Sequence, residues 1–179
     1  NTFTHILEGY KVADKMKKHG AAASTFADWW AYKYEVMEAI PYNAALLYKM
    51  GITTSVNSDD AEMARRLNQE ASKSTKYGNL SDTECIKLCT INPAKMLRID
   101  DKTGSIKVGK DADLAIFDAH PLDTLSQVRL TLINGEIEFQ RGKSLEAATK
   151  PKKLGELARN ENASKKRVLD FKEDPDNRR

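Results

Sequence analysis

The stretch Ile52-Thr53-Thr54-Ser55-Val56-Asn57-Ser58-Asp59-Asp60 decides the fold, because a strand and the start of a helix meet within it. Residues 52–57 predict the strand. Ser58, Asp59 and Asp60 predict the helix N-terminus, because their side-chain oxygens accept hydrogen bonds from the free N–H groups of a first helical turn. Side chains alternate between the two faces of a strand, so Ser55 and Asn57 share a face with Asp59.

The chain before this stretch alternates strand-like runs with helical segments. The strand-like runs are 3–7 and 22–26, and the helical segments are 10–18 and 36–50, the second interrupted near Pro41. Alternation of this kind predicts successive βαβ units and a parallel sheet. The chain after the stretch continues as a helix over 61–76. A further helix begins at the Ser81–Glu84 capping box, ends near Thr90 and resumes over 93–97.

The sequence changes character after residue 98. Short β-rich runs follow at 104–110, 112–118 and 130–140, and the last is divided by Asn134-Gly135, a pair that favours a type I′ hairpin turn. Residues 143–179 are rich in Lys, Glu and Asn, which predicts a charged tail that is partly helical or disordered. The expected organisation is therefore an α/β domain over 1–98, a small β domain over 99–142 and the tail.

Composition narrows the classes of function. A net charge of +3 on 179 residues does not indicate a basic groove for nucleic acid. No apolar run approaches the roughly 18–20 residues of a membrane-spanning helix. Cys85 and Cys89 lie four apart in a helical pattern, which predicts free thiols, because this spacing suits neither a disulfide nor a zinc site.

Two residues of the α/β domain could carry chemistry, because functional groups of a β/α barrel gather at the C-terminal ends of its strands. His5 lies in the first strand-like run and is either a metal ligand or a buried core histidine; spacing alone favours the core histidine. Asp59 ends the strand at 52–57 and is either a functional carboxylate or, with Asp60, a helix cap.

The densest aromatic cluster of the sequence follows the second strand-like run. It lies where a loop of a β/α barrel would stand beside the active site. The cluster either lines a substrate pocket or packs over the barrel, and the sequence favours neither. Its members are Trp29, Trp30, Tyr32 and Tyr34.

Several motifs together resemble the amidohydrolase superfamily, and the imidazolonepropionase-like branch most of all. The most specific are Thr90-Ile91-Asn92-Pro93-Ala94-Lys95 and, about ten residues later, the segment 104–114, which reads G-S-I-K-V-G-K-D-A-D-L. The segments 4–10, 23–30 and 57–59 add to the likeness. The resemblance extends over about residues 1–142.

The resemblance implies a partial (β/α)8 TIM barrel, comprising strands six to eight, followed by part of a small β-sandwich domain. His5 matches the sixth-strand histidine of the family, which is a ligand of the second metal in two-metal members and a hydrogen-bonding group near the water in one-metal members, and this implication replaces the core interpretation. Asp59 matches the eighth-strand aspartate, which binds metal and acts as general base and then general acid. The substrate pocket expected from the position of the aromatic loop and of the polar strand face comprises Trp29, Trp30, Tyr32 and Asn57.

The implied cofactor is a divalent metal, zinc, as one or two ions. The family's other metal ligands lie on earlier strands, so the chain is expected to be the C-terminal part of a longer enzyme and inactive by itself. That enzyme would hydrolyse C–N bonds of a small-molecule or short-peptide substrate. A deaminase of the same superfamily and a non-catalytic remnant or interaction module are the alternatives. No nucleic-acid or membrane partner is expected, and self-association into a homo-oligomer is left open.

Overall fold

A computed structural model describes residues 1–142. Their contacts form two compact units: residues 1–110 with 119–127, and residues 111–118 with 128–142. The first unit contains three parallel strands in the order β1-β2-β3, namely β1 (Thr2–Phe3), β2 (Ala22–Thr25) and β3 (Thr54–Val56). The predicted parallel sheet is therefore present.

Helices follow each strand of this sheet. α1 (Ala13–His19) comes after a 3₁₀ turn at Gly9–Val12, and α2 (Asn43–Lys49) lies between β2 and β3. Gly20 ends α1 with a φ of 77°, a left-handed value that glycine adopts without a steric penalty. The helices after β3 are α3 (Ala61–Ala64), α4 (Leu67–Gly78), α5 (Asp82–Cys89) and α6 (Ile91–Leu97).

The two faces of the sheet differ in chemistry. Ala23 of β2 packs in an apolar cluster with Met16 and Leu47, and Val56 of β3 packs in another that includes side chains of α2, α4 and α5. Ser55 precedes Val56 on β3, and its hydroxyl donates a hydrogen bond to the hydroxyl of Ser24 on β2. The predicted alternation along the strand at 52–57 is confirmed, and it leaves one face of the sheet polar.

Three elements differ from the sequence predictions for local reasons. β1 ends at Phe3, before the predicted end at residue 7, because His5 has a φ of 53° and cannot continue a strand. Of the helix predicted over 36–50, only the part that forms α2 is an α-helix, and a 3₁₀ turn at Tyr34–Val36 precedes it. The helix predicted over 61–76 is divided at Arg66, whose φ of −128° is not helical.

The second unit is an antiparallel sheet in the order β4-β5-β6. Its strands are β4 (Leu114–Phe117), β5 (Val128–Ile133) and β6 (Glu136–Gln140). Asn134 and Gly135 join β5 to β6 with φ values of 52° and 80°, the two positive values that a type I′ turn requires. The predicted hairpin is therefore confirmed, whereas the run 104–110 forms no strand. The predicted tail at 143–179 lies outside the described residues.

No helix within residues 1–142 combines the length and the apolar character needed to cross a membrane.

Candidate metal centre

His5 and Asp59 come together at one end of the parallel sheet. His5 follows β1 and Asp59 follows β3, and the carboxyl ends of parallel strands meet at the same edge. Nε2 of His5 lies 3.3 Å from Oδ1 of Asp59, and the two side chains are 48% and 49% exposed. An imidazole and a carboxylate separated by 54 residues of sequence thus form one solvent-accessible pair.

The backbone around His5 holds its side chain at the sheet edge. The left-handed φ of His5 turns the chain out of β1, and the next residue, Ile6, donates its N–H to the carbonyl of Ser24 at 3.2 Å. The carbonyl of Ile6 accepts a hydrogen bond of 2.9 Å from the buried amide of Asn43. The ring of Phe26 meets the His5 ring edge-on at 5.6 Å between centroids. Contacts with β2 and α2 therefore fix where the imidazole stands.

Asp59 is fixed by its neighbours on both sides. Asn57 donates its N–H to the carbonyl of Thr25 at 3.0 Å, which extends the pairing of β3 with β2. Asp60 has an extended backbone and caps α3, its carboxylate accepting the N–H of Met63 at 2.8 Å. The capping alternative therefore applies to Asp60, and the Asp59 carboxylate is left beside His5.

The separation within the His5–Asp59 pair fits a shared metal ion. Two ligands of a tetrahedral zinc ion with bonds of about 2.0–2.2 Å lie about 3.3–3.6 Å apart, and the observed 3.3 Å falls at the short end of this range. It is longer than the roughly 2.7–2.9 Å of a charge-assisted hydrogen bond between a nitrogen and a carboxylate. Within residues 1–142, no group of three or more His, Cys, Asp or Glu side chains is arranged to hold a metal. Among the described residues, the His5–Asp59 pair would therefore give a shared ion two protein ligands.

A row of hydrogen-bonded polar side chains crosses the sheet below this pair. The hydroxyl of Ser55 donates to that of Ser24 at 3.1 Å, and the hydroxyl of Ser24 donates to Oδ1 of Asn57 at 2.9 Å. This last bond fixes the orientation of the Asn57 amide. Its Nδ2 is buried without a hydrogen-bond partner among residues 1–142. Asn57 therefore holds an unpaired donor two residues before Asp59.

The loop after β2 carries the aromatic cluster. The rings of Phe26 and Trp29 make an edge contact at 6.4 Å, and Trp29 and Tyr32 make another at 5.8 Å. With the His5–Phe26 contact, these form a continuous row of rings that begins at the candidate metal ligand. Trp30 is half exposed. The structure thus brings Trp29 and Tyr32 into one row with His5.

A charged group of α4 also supports this loop, and no sequence inference included it. Glu70 is buried and accepts the N–H of Ala27 at 2.7 Å, while the ammonium of Lys73 contacts both Glu70 and Asp28. Burial raises the pKa of Glu70, and the bond to Lys73 offsets part of the rise. Burial also acts to raise the pKa of Asp28, but Lys73, the hydrogen bond with Glu70 and the charge of Arg66 together hold that pKa below its usual value. The i,i+3 spacing of Glu70 and Lys73 was the available signal.

The two cysteines lie apart from this chemistry. Both are free thiols, as the sequence predicted. Burial raises the pKa of Cys85, and it raises that of Cys89 to about 11. Only the thiolate form of cysteine acts as a nucleophile or a metal ligand. Because a raised pKa keeps the thiol protonated, Cys85 and Cys89 are unreactive structural residues.

Comparisons with known proteins agree with the fold and with the motifs. The model of the "Amidohydrolase family" matches residues 4–143. An amidohydrolase, tasK, of Hapsidospora irregularis is 32% identical over 119 residues, which are 66% of this chain and 12% of that protein. The imidazolonepropionase of Picrophilus torridus is 44% identical over 66 residues, which are 34% of this chain and 17% of that protein.

The fold of this chain is similar to that of solved amidohydrolase structures. The crystal structure of an amidohydrolase from Thermotoga maritima MSB8 matches with a TM-score of 0.71 at 28% identity, over 78% of this chain and 37% of that one. The chain thus spans well under half the length of the proteins it matches. Because the family model covers most of the sequence, the chain belongs to the amidohydrolase family.

Proposed function

We propose that this chain is the C-terminal part of a metal-dependent hydrolase that cleaves C–N bonds of amides, cyclic amides or short peptides. The observation that carries the proposal is the His5–Asp59 pair, with Nε2 and Oδ1 3.3 Å apart at the carboxyl ends of parallel strands. Membership of the amidohydrolase family supports the class of reaction. The chain alone is then inactive, because a catalytic zinc ion uses three protein ligands and residues 1–142 supply two.

The parallel sheet represents the last three strands of a (β/α)8 barrel in this proposal. Three features support it: the strands are parallel and adjacent in chain order, apolar positions pack against helices, and the opposite face carries polar side chains. In barrels of this type the functional groups stand at the carboxyl ends of the strands, where His5 and Asp59 lie. The antiparallel sheet β4–β6 would be part of a small β-sandwich.

His5 and Asp59 would hold a divalent metal, and zinc suits them best because it accepts both imidazole nitrogen and carboxylate oxygen. When bound, such an ion polarises a carbonyl group and lowers the pKa of water. Exposure of both side chains leaves room for the ligands that the rest of the protein would supply. The half-exposed Asp59 carboxylate is also open to a substrate.

Asp59 would move the proton in the reaction. Its carboxylate accepts a proton from the attacking water as the water oxygen bonds to the carbonyl carbon. When the C–N bond breaks, the same carboxyl group gives that proton to the leaving nitrogen, and Asp59 returns to its starting state. Asp60 is less suited to this role, because Oδ1 of its carboxylate accepts the N–H of Met63 and caps α3.

The wall of the proposed substrate pocket comprises Trp29, Trp30, Tyr32 and Asn57. The aromatic members offer flat apolar surface beside His5, and exposed Tyr32 extends it outward. Asn57 is placed in the wall because it lies two residues before Asp59 on the same strand face; its Nδ2 is buried and unpaired among the described residues. A wall of this composition suits a small molecule or short peptide with an apolar group beside the scissile bond.

Zinc binding by the 179-residue chain tests the proposal without requiring activity. Competition with a chromophoric zinc indicator would give the affinity of the wild type, of His5→Ala and of Asp59→Ala. We expect each variant to bind at least about tenfold more weakly, because each loses one of two ligands. His120→Ala is the matched control, since His120 also stands 3.7 Å from an aspartate, Asp82, at an exposed site. Unchanged affinity in His5→Ala would overturn the assignment.

A further inference from the structure

One helix is bonded to the loop that carries the aromatic row. Oε1 of Glu70, on α4, accepts the N–H of Ala27, the second residue after β2. Lys73, one turn further along α4, lies 2.5 Å from Oε2 of Glu70 and also contacts the Asp28 carboxylate. Two consecutive loop residues are therefore held by two residues on one face of α4. We call Glu70, Lys73 and Asp28 the loop clamp.

The clamp acts on the part of the loop that leads to His5. Ala27, the residue it holds, follows Phe26, whose ring contacts the His5 imidazole. The carbonyl of Ala27 accepts the N–H of Trp30 at 3.1 Å and so forms the turn that carries the tryptophans. A shift of Ala27 would therefore move Phe26 on one side and Trp30 on the other.

Burial separates this group from an ordinary surface ion pair. The Glu70 side chain is 6% exposed, whereas Glu62 and Arg65, an i,i+3 pair on the chain segment before it, are 69% and 74% exposed. An exposed pair of that kind contributes little to stability. A buried carboxylate is costly unless it is paired and hydrogen-bonded. Glu70 meets both conditions only while Ala27 and Lys73 stay in place.

We propose that Glu70 is a positioning residue for the candidate metal centre: with Lys73 it fixes the loop of residues 26–32 and, through Phe26, the placement of His5. The clamp's hold on the loop is independent of any catalytic role. Its effect on the metal centre and the pocket rests on the proposed function.

Two signals report on the loop alone in the 179-residue chain. The two tryptophans of the sequence, Trp29 and Trp30, both lie in this loop. Tryptophan fluorescence and its quenching by acrylamide therefore measure the exposure of the loop. Lys33 is exposed just after it, so the rate of trypsin cleavage after Lys33, followed by mass spectrometry, measures loop opening.

The variants to compare are Glu70→Ala, Glu70→Gln and Lys73→Met, with Glu62→Ala as the matched control. We expect Glu70→Ala to speed cleavage after Lys33 by about tenfold to a hundredfold, the equivalent of one lost charged hydrogen bond, and to increase quenching. Glu70→Gln keeps an acceptor for the Ala27 N–H and should restore most of the protection. Lys73→Met changes a partly exposed residue, so it tests the clamp even if Glu70→Ala fails to fold. Wild-type cleavage rates in both Glu70→Ala and Lys73→Met would overturn the clamp.

Zinc affinity and kinetics then test the effect on the site. Glu70→Ala should weaken zinc binding by roughly tenfold, the typical effect of losing a group that orients a ligand, and Glu70→Gln should recover it. In the full-length enzyme, Glu70→Ala should raise KM more than it lowers kcat, because it loosens the pocket wall and leaves Asp59 in place. A loosened loop with wild-type zinc affinity and KM would overturn the positioning role. A wild-type chain that binds no zinc would instead contradict the proposed function and leave the loop result standing.

Discussion

Asp60 accepts the backbone N–H of Met63 at 2.8 Å, and this bond gives two adjacent aspartates different tasks. The bond satisfies one of the free N–H groups at the start of α3 and engages Oδ1 of Asp60. The preceding residue, Asp59, makes the contact with His5 instead. If the strand end were assigned one residue out of register, the two aspartates would exchange these roles. Substituting each of them therefore tests the assignment of Asp59.

We predict that Asp59→Asn lowers turnover of the full-length enzyme by at least the roughly 10²- to 10⁴-fold typical of losing a general acid–base. Asparagine keeps the shape of the side chain but removes its basicity and its charge. Asp60→Asn should have a far smaller effect, because asparagine is about as good an N-cap as aspartate. Turnover and bound metal should be measured for both variants side by side, with release of ammonia followed to distinguish deamination from other C–N hydrolysis.

The opposite result has a definite meaning. If Asp59→Asn keeps near-normal turnover while Asp60→Asn abolishes it, the assignment of Asp59 is wrong by one residue. His5 would then need the same comparison, because its role rests on its contact with Asp59.

A second prediction concerns pH and the capping box of α5. Hydrogen bonds from the backbone N–H and hydroxyl of Ser81 hold the pKa of Glu84 below its usual value of 4.5. A carboxyl group whose pKa is lower in the folded state stabilises the fold above its unfolded pKa, and this stability is lost as pH falls through the folded pKa. Glu84→Ala should therefore unfold more readily than wild type at pH 7, and the difference should shrink below about pH 4.5.

Urea denaturation at several pH values measures this difference. Ser81→Ala should cost about 1 kcal/mol at pH 7, because it removes the other half of the capping box. A difference between Glu84→Ala and wild type that stays constant from pH 7 to pH 3 would contradict the prediction.

Sequence reasoning succeeded where neighbouring residues decide the structure. The capping box at Ser81 and the turn at Asn134-Gly135 were both predicted, because each depends on chemistry within about four residues. The alternation along β3 was predicted for the same reason, and it separated Asp59 from Asp60. Local rules therefore predicted the sheet and one half of the candidate site.

Contacts distant in sequence were not predictable in this way. Glu70 bonds to Ala27 across 43 residues, and the only local trace of that contact is a lysine three positions away. The early end of β1 at Phe3 likewise depends on the left-handed backbone of His5, which the residues around it do not predict. The resemblance to a family, and not periodicity, indicated that His5 was functional.

A third prediction concerns the amide that secures the segment after His5. Asn43 is 1% exposed, donates to the carbonyl of Ile6 and the hydroxyl of Thr25, and accepts the N–H of Tyr10. Asn43→Ala should destabilise the fold by roughly 2–4 kcal/mol, because it leaves buried backbone groups unpaired. Asn68→Ala is the control, since the Asn68 amide is only partly buried and donates to a single carbonyl, that of Pro121. Equal losses for the two variants in urea denaturation would contradict this account.

The last prediction concerns the closest approach of two helices. A Cβ added to Gly78 at the end of α4 would lie 2.0 Å from Cβ of Ala45 on α2, a distance that atoms cannot adopt. Gly78→Ala should therefore cost about 1–3 kcal/mol of stability, although alanine is the better helix former. Combining it with Ala45→Gly moves the methyl group from one helix to the other and should recover stability, with a coupling energy of at least about 1 kcal/mol.

Ala71→Gly is the matched control, because Ala71 is buried in the same cluster as Ala45 but is not among the atoms that the new methyl group meets. Urea denaturation of the single and double variants measures both coupling energies. If Ala45→Gly and Ala71→Gly restore the stability of Gly78→Ala equally, any loosening of the core makes room for the methyl group. The contact between Gly78 and Ala45 would then not be the reason for glycine at residue 78.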